Sequence, residues 1–180
     1  MSSENLIQKP MKNTNYEIHR NLLSFFHQYT IKEKNGFRKY KVRSDPFLLG
    51  GTTILKDING HCLWKIRKSR FSYLNKLKIA SVDTNGTEHP IATMKEKFRF
   101  IVQTFVIKSR TYGNYIMKSF HGGSGSFALK KEDGTIVAII LPKLSSMAIV
   151  YKVEVFGSDN DMNEDDHTFI LALITVFIRS

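Results

Sequence analysis

A single cysteine, Cys62, occurs in this 180-residue chain, so no internal disulfide can form and a reducing compartment is expected. Apolar runs of membrane-spanning length are missing too. The longest, Phe169 to Ile178, falls far short of the roughly 20 residues a bilayer-crossing helix needs. The first residues, Met1 to Lys12, are polar and lack the apolar core of a signal peptide. A cytoplasmic protein is expected, with peripheral membrane or nuclear association left open. Signatures of catalysis are also missing: there is no Gly-x-Ser-x-Gly elbow, no Cys-x-x-Cys pair and no dinucleotide fingerprint. His19, His27, His61, His89, His121 and His167 are scattered without metal-ligand spacing. Cys62 has no recognisable histidine partner and reads as a core thiol beside Trp64. The expectation is therefore a non-enzyme without metal or cofactor.

The run Phe169-Ile170-Leu171-Ala172-Leu173-Ile174-Thr175-Val176-Phe177-Ile178 is apolar on every side. Too short to cross a membrane and unfit for a surface, it must be surrounded by protein. Asp165 and Asp166 precede it and Arg179 follows it, the charge order that favours a helix over a strand. The rest of the chain reads as strands. Asp57-Ile58-Asn59-Gly60, Asp83-Thr84-Asn85-Gly86 and Asp133-Gly134 each lie between runs rich in Ile, Val, Leu and Phe, as tight two-residue hairpin turns do. Strands are expected around residues 29–31, 40–42, 53–56, 63–66, 78–82, 91–95, 100–107, 115–117, 127–130, 136–140 and 148–155. A longer repeat, offset by about 75 residues, sets Tyr40-Lys41-Val42 and Trp64-Lys65-Ile66 against Tyr115-Ile116-Met117 and Ala138-Ile139-Ile140. Two similar meanders can close on each other and remove exposed sheet edges. The expected fold is mainly β: about twelve strands in a closed antiparallel β-barrel that encloses a hydrophobic C-terminal α-helix. Residues 1–20 are expected to form a flexible tail and residues 21–180 one domain, with Leu22, Leu23, Phe25 and Phe26 docking on the barrel.

The formal net charge of +11 points to anionic partners. Strand alternation sends Lys39, Lys41 and Arg43 to the side opposite Tyr40 and Val42. Lys65 and Arg67 oppose Trp64 and Ile66, and Lys95, Lys97 and Arg99 oppose Met94, Phe98 and Phe100. Lys68 and Arg70 extend the densest cluster into a turn. Each such charge near an anionic bilayer contributes about 1 kcal/mol, so a handful suffices for reversible attachment. Two other features invite a ligand and fit one poorly. Gly122-Gly123-Ser124-Gly125-Ser126 lacks the Lys-Ser/Thr ending of a phosphate loop and leads into a strand. The acidic run Asp159 to Asp166 has Glu164 and Ile170 where a calcium-binding EF-hand loop requires Gly and Glu.

Taken in order, several segments resemble the LURP-one-related family: Tyr40-Lys41-Val42, Asp57-Ile58-Asn59-Gly60 into Leu63-Trp64-Lys65-Ile66, Asp83-Thr84-Asn85-Gly86 into Ile91-Ala92, Tyr115-Ile116, and Asp133-Gly134 into Val137-Ala138. The terminal Asp165-Asp166-His167-Thr168-Phe169-Ile170-Leu171-Ala172-Leu173 completes the set. The resemblance spans about residues 25 to 180. That family is similar in fold to tubby C-terminal domains and phospholipid scramblases, which implies a twelve-stranded barrel around a central helix. Tubby-like relatives are associated with phosphoinositide binding and transcription, scramblases with lipid movement. The chain has neither a proline-rich N-terminal region nor a cysteine cluster for palmitoylation, and no tubby phosphoinositide residue maps onto it. The first expectation is thus a domain that engages phosphoinositide or another anionic membrane lipid through a basic barrel face. The second is a nucleic-acid-binding regulator, and the third a calcium-responsive, scramblase-like lipid protein. The sequence names no protein partner.

Overall fold

A computed structural model describes residues 12–21, 27–45, 51–69, 76–97, 102–120, 125–144, 149–157 and 162–178. The strands are β1 (Lys12–Asn21), β2 (His27–Glu33), β3 (Arg38–Asp45), β4 (Thr52–Asp57), β5 (Cys62–Lys68) and β6 (Lys76–Val82). They continue with β7 (Glu88–Lys97), β8 (Thr104–Ser109), β9 (Asn114–Phe120), β10 (Ser126–Lys131), β11 (Ile136–Leu144) and β12 (Ile149–Gly157). Each pairs antiparallel with its neighbours in sequence, and β12 returns to β1, so the sheet closes into a barrel without edges.

Alternation puts one face of every strand inside. On β3, Tyr40, Val42 and Ser44 are buried while Lys41 and Arg43 are exposed. The interior is filled by α1 (Glu164–Phe177), buried from Thr168 onward. Phe169 packs against Trp64, Tyr112 and Tyr115. At the far end, Phe177 packs against Phe105 and Phe127. The 75-residue repeat has a geometric meaning: Tyr40 and Tyr115 lie on β3 and β9, on opposite sides of the ring, and both face the helix.

Helix ends inside a barrel need partners for their free amides and carbonyls. At the start, the Asn163 side chain accepts from the Asp166 amide and the Asp166 carboxylate accepts from the Asn163 amide, each at 2.9 Å. At the finish, the Tyr29 hydroxyl donates to the Ile178 carbonyl over 3.1 Å. That end was expected to rest on Arg179, which lies outside the described residues.

Three expectations change. Residues 12–20 of the supposed tail belong to β1: Tyr16 and Ile18 point into the core, and β1 closes the barrel between β2 and β12. Flanking Asn, Lys and His residues hid that alternation. The hairpins also differ from two-residue turns. In Glu33–Phe37, Asp57–His61, Asp83–Thr87 and Lys131–Thr135, the first residue's amide bonds the fifth residue's carbonyl, and the glycine amide at position four bonds the first carbonyl. Gly36, Gly60, Gly86 and Gly134 hold φ between 82° and 92°. This is the longer loop in which a type I turn is followed by a left-handed glycine. The expected strand at 100–107 begins later, with β8 at Thr104, and Phe98 to Ile101 lie outside the described residues, as do Leu22 to Phe26.

Candidate anion-binding wall

Strands β3 to β7 are consecutive neighbours, so their outward side chains form one continuous wall. Three cross-strand positions on it oppose like charges: Lys41 faces Lys56, Arg67 faces Lys78, and Lys76 faces Lys95. Directly opposed side chains have Cβ atoms about 5 Å apart, and like charges there destabilise the sheet. The row continues from Lys78 through Thr93 to Lys108 on β8. There a concavity of about 560 Å³ is lined by Thr93, Lys108, Ser109 and Arg110. Among the described residues, neither Lys108 nor Arg110 forms a salt bridge with a carboxylate.

The residues singled out from sequence divide accordingly. Lys41, Lys95 and Lys97 are exposed on the wall, as is Arg43, opposite Ile54. Lys65 and Arg67 share one acid: Glu88 takes Lys65 at 2.9 Å and both Arg67 terminal nitrogens at 2.7 and 2.8 Å. The Lys65 hydrogen bond leads in holding the Glu88 carboxyl below its ordinary range; partial burial opposes it and Arg67 reinforces it. The densest basic cluster is therefore half-neutralised. Lys68 is the last residue of β5, at the barrel rim and in phase with buried Trp64 and Ile66, rather than in a turn. Lys39 leans to the helix start, 3.6 Å from Glu164. Arg70 and Arg99 lie outside the described residues. Lys56, Lys76 and Lys78 escape the sequence reading, which takes 53–56 and 78–82 as hairpin strands but assigns basic outer faces only to the strands of Lys41, Lys65 and Lys95. The alternation Lys76-Leu77-Lys78-Ile79 carried the signal.

The opposite wall differs. There Glu17 faces Lys32 and Lys152 across strands and lies 3.6 Å from Lys143, while Asn13 donates to Glu154.

Other candidates come to little. Among the described residues, no group of three His, Cys, Asp or Glu could hold a metal ion. His61 pairs with Asp57, His89 with Asp83 and His167 with the Tyr16 hydroxyl. Cys62 is half-buried at the first position of β5 rather than fully in the core, and burial pushes its thiol pKa up. Of the acidic run, Glu164 accepts from Tyr40 and Asp166 serves the helix cap. Asp159, Asp161 and Gly122 to Ser124 lie outside the described residues.

A closed twelve-stranded antiparallel barrel around a buried C-terminal helix is the tubby-like fold. The X-ray structure of a protein from Arabidopsis thaliana superposes with a TM-score of 0.62 over 93% of this chain and 90% of that one. At 15% identity, the likeness is one of fold. The chain belongs to the LURP-one-related family, which it matches over residues 14–178. A search of curated proteins found no match. Among the described residues, no helix is long and apolar enough to cross a membrane.

Proposed function

We propose that this chain is a non-enzymatic domain that attaches reversibly to anionic, phosphoinositide-containing membranes through the β3–β7 wall. The observation that carries the reading is the stacking of Lys41 on Lys56, Arg67 on Lys78 and Lys76 on Lys95. A fold that can alternate charges, as this one does around Glu17, accepts repulsion at three cross-strand positions here, and an anionic partner relieves that repulsion. Each cation held at an anionic surface contributes about 1 kcal/mol, enough in sum for peripheral binding. The concavity beside Lys108 and Arg110 is large enough for a phosphorylated headgroup.

Co-sedimentation with neutral, phosphatidylserine and phosphoinositide vesicles tests the reading at low and physiological salt. Binding should prefer phosphoinositide and persist at physiological salt. Salt-sensitive binding to DNA with no lipid preference would instead favour a nucleic-acid partner.

A further inference from the structure

The end of the barrel where the helix enters has the opposite character from the wall. A cavity of about 500 Å³ opens there between hairpins, walled by Tyr40, Trp64 and Tyr112 and rimmed by Asp57, Glu164 and Asp165. Among the described residues, no lysine or arginine lines it, although the chain carries a net charge of +11. Lys39 meets Glu164 from the flank at 3.6 Å, while Asp165 has no salt-bridge partner among the described residues. Three carboxylates thus gather at one rim, next to the phenols of Tyr40 and Tyr112. Burial first, and then Glu164, push the Tyr40 hydroxyl above its ordinary range, and burial with Asp165 and Asp166 does the same to Tyr112.

Beside this mouth stand two apolar tips. Phe37 is 75% exposed in the β2–β3 turn and Ile58 is 57% exposed in the β4–β5 turn. Both hairpins include β3 or β4, whose residues Tyr40 and Asp57 face each other and line the cavity. Large apolar side chains paired at one rim mark a contact surface more than isolated ones do.

We infer that this mouth is a docking site for a partner peptide that inserts an arginine or lysine between the aromatic walls and the carboxylates and lays flanking apolar residues on Phe37 and Ile58. Charge complementarity selects that occupant. Anionic lipid would meet three carboxylates. A calcium ion needs six or more oxygen ligands, and both Asp57 carboxylate oxygens are already held by His61. A guanidinium or ammonium gains from aromatic faces and carboxylates together, and arginine is a common anchor of protein interfaces. The site is separate from the β3–β7 wall, and neither reading depends on the other.

Trp64 is the single tryptophan of the chain and forms part of the cavity wall, so its fluorescence reports on this site. The probe is the tripeptide acetyl-Leu-Arg-Leu-amide, compared with the same peptide carrying neutral citrulline in place of arginine and with acetyl-Gly-Arg-Gly-amide. A saturable change is expected with the first, and about tenfold weaker binding with each of the others. A double variant, Glu164→Gln with Asp165→Asn, should weaken the arginine peptide by a similar factor. It keeps an acceptor for the Tyr40 hydroxyl, and the Asp165 side chain is exposed, so the fold is retained. Phe37→Ser should weaken the leucine-flanked peptide and leave the glycine-flanked one unchanged. No saturable response, or an equal response to the citrulline peptide, would overturn the inference.

Discussion

The β3–β7 wall and the β11–β12–β1–β2 wall are built on the same scaffold and differ in how they place charge. On the first, lysines and an arginine face one another across strands; on the second, Glu17 sits between Lys32 and Lys152. Both walls bury the same kind of inward residue, with Ile18, Ile31 and Val153 on one side and Val42, Leu55 and Ile79 on the other. The interior therefore sets the fold all round, while the exterior is free to diverge. Like-charge pairing costs up to about 0.5 kcal/mol at each position. It recurs three times within the β3–β7 wall and once at its border, where Lys32 faces Arg38 while Glu17 offsets Lys32 from the other side, and stability does not explain the three positions within the wall.

The largest expected effect removes what the two walls share. Leu171 is fully buried on the central helix, so Leu171→Asp places an unpaired carboxylate in the core. A loss of about 5 kcal/mol or more is expected, which abolishes cooperative unfolding in a denaturant titration. Next comes the contrast itself. Replacing Lys56, Lys78 and Lys95 with Gln takes one member from each like-charge pair. Vesicle affinity should fall about 100-fold while stability holds or rises slightly. Lys152→Gln on the other wall should lower stability slightly and leave membrane binding unchanged.

The hairpins give a smaller test. Gly60→Ala and Gly134→Ala each force an L residue to φ +92°, with open space around the new methyl. Each should cost about 1–2 kcal/mol, and nearly equally, because the two turns share one hydrogen-bond pattern on different sides of the barrel. Unequal costs, read from urea midpoints, would show that the two sides do not share a scaffold.

Glu88→Gln should have the smallest effect. It breaks the clamp on Lys65 and Arg67, lowering stability by up to about 1 kcal/mol at neutral pH and strengthening vesicle binding by freeing one net positive charge. Because the folded-state carboxyl titrates below its unfolded value, its contribution is present above the ordinary glutamate range. It disappears as pH falls through the lowered value, so variant and parent should converge in urea titrations as the pH is taken below the ordinary glutamate range.

Much of this was legible in the sequence, and the exceptions have physical causes. The helix showed itself through an all-round apolar run, the turns through Asn-Gly and Asp-Gly, and the core through alternation at Tyr40, Trp64 and Met94. The turn at Asn35-Gly36 and strand β1 escaped notice. In β1, only Tyr16 and Ile18 carry the apolar pattern, and its place is set by partners 141 residues away, as in the bond from Asn13 to Glu154. The basic wall was visible strand by strand, through Lys41, Lys65 and Lys95. What could not be read was register, which sets Lys76 against Lys95, and the distant acid that draws Lys65 and Arg67 together. The mouth cavity depends on Tyr40, Asp57, Tyr112 and Asp165 meeting from three hairpins and the helix, so it has no local signature.

The central claim, that placement of charge rather than its amount governs binding, is tested most directly by removing equal charge from each wall. Equilibrium binding to phosphoinositide vesicles is measured for Lys56, Lys78 and Lys95 changed together to Gln, and for Lys32, Lys143 and Lys152 changed the same way. The first set should bind about 100-fold more weakly than the parent and the second within about threefold of it. Equal losses would contradict the claim and leave only net charge at work.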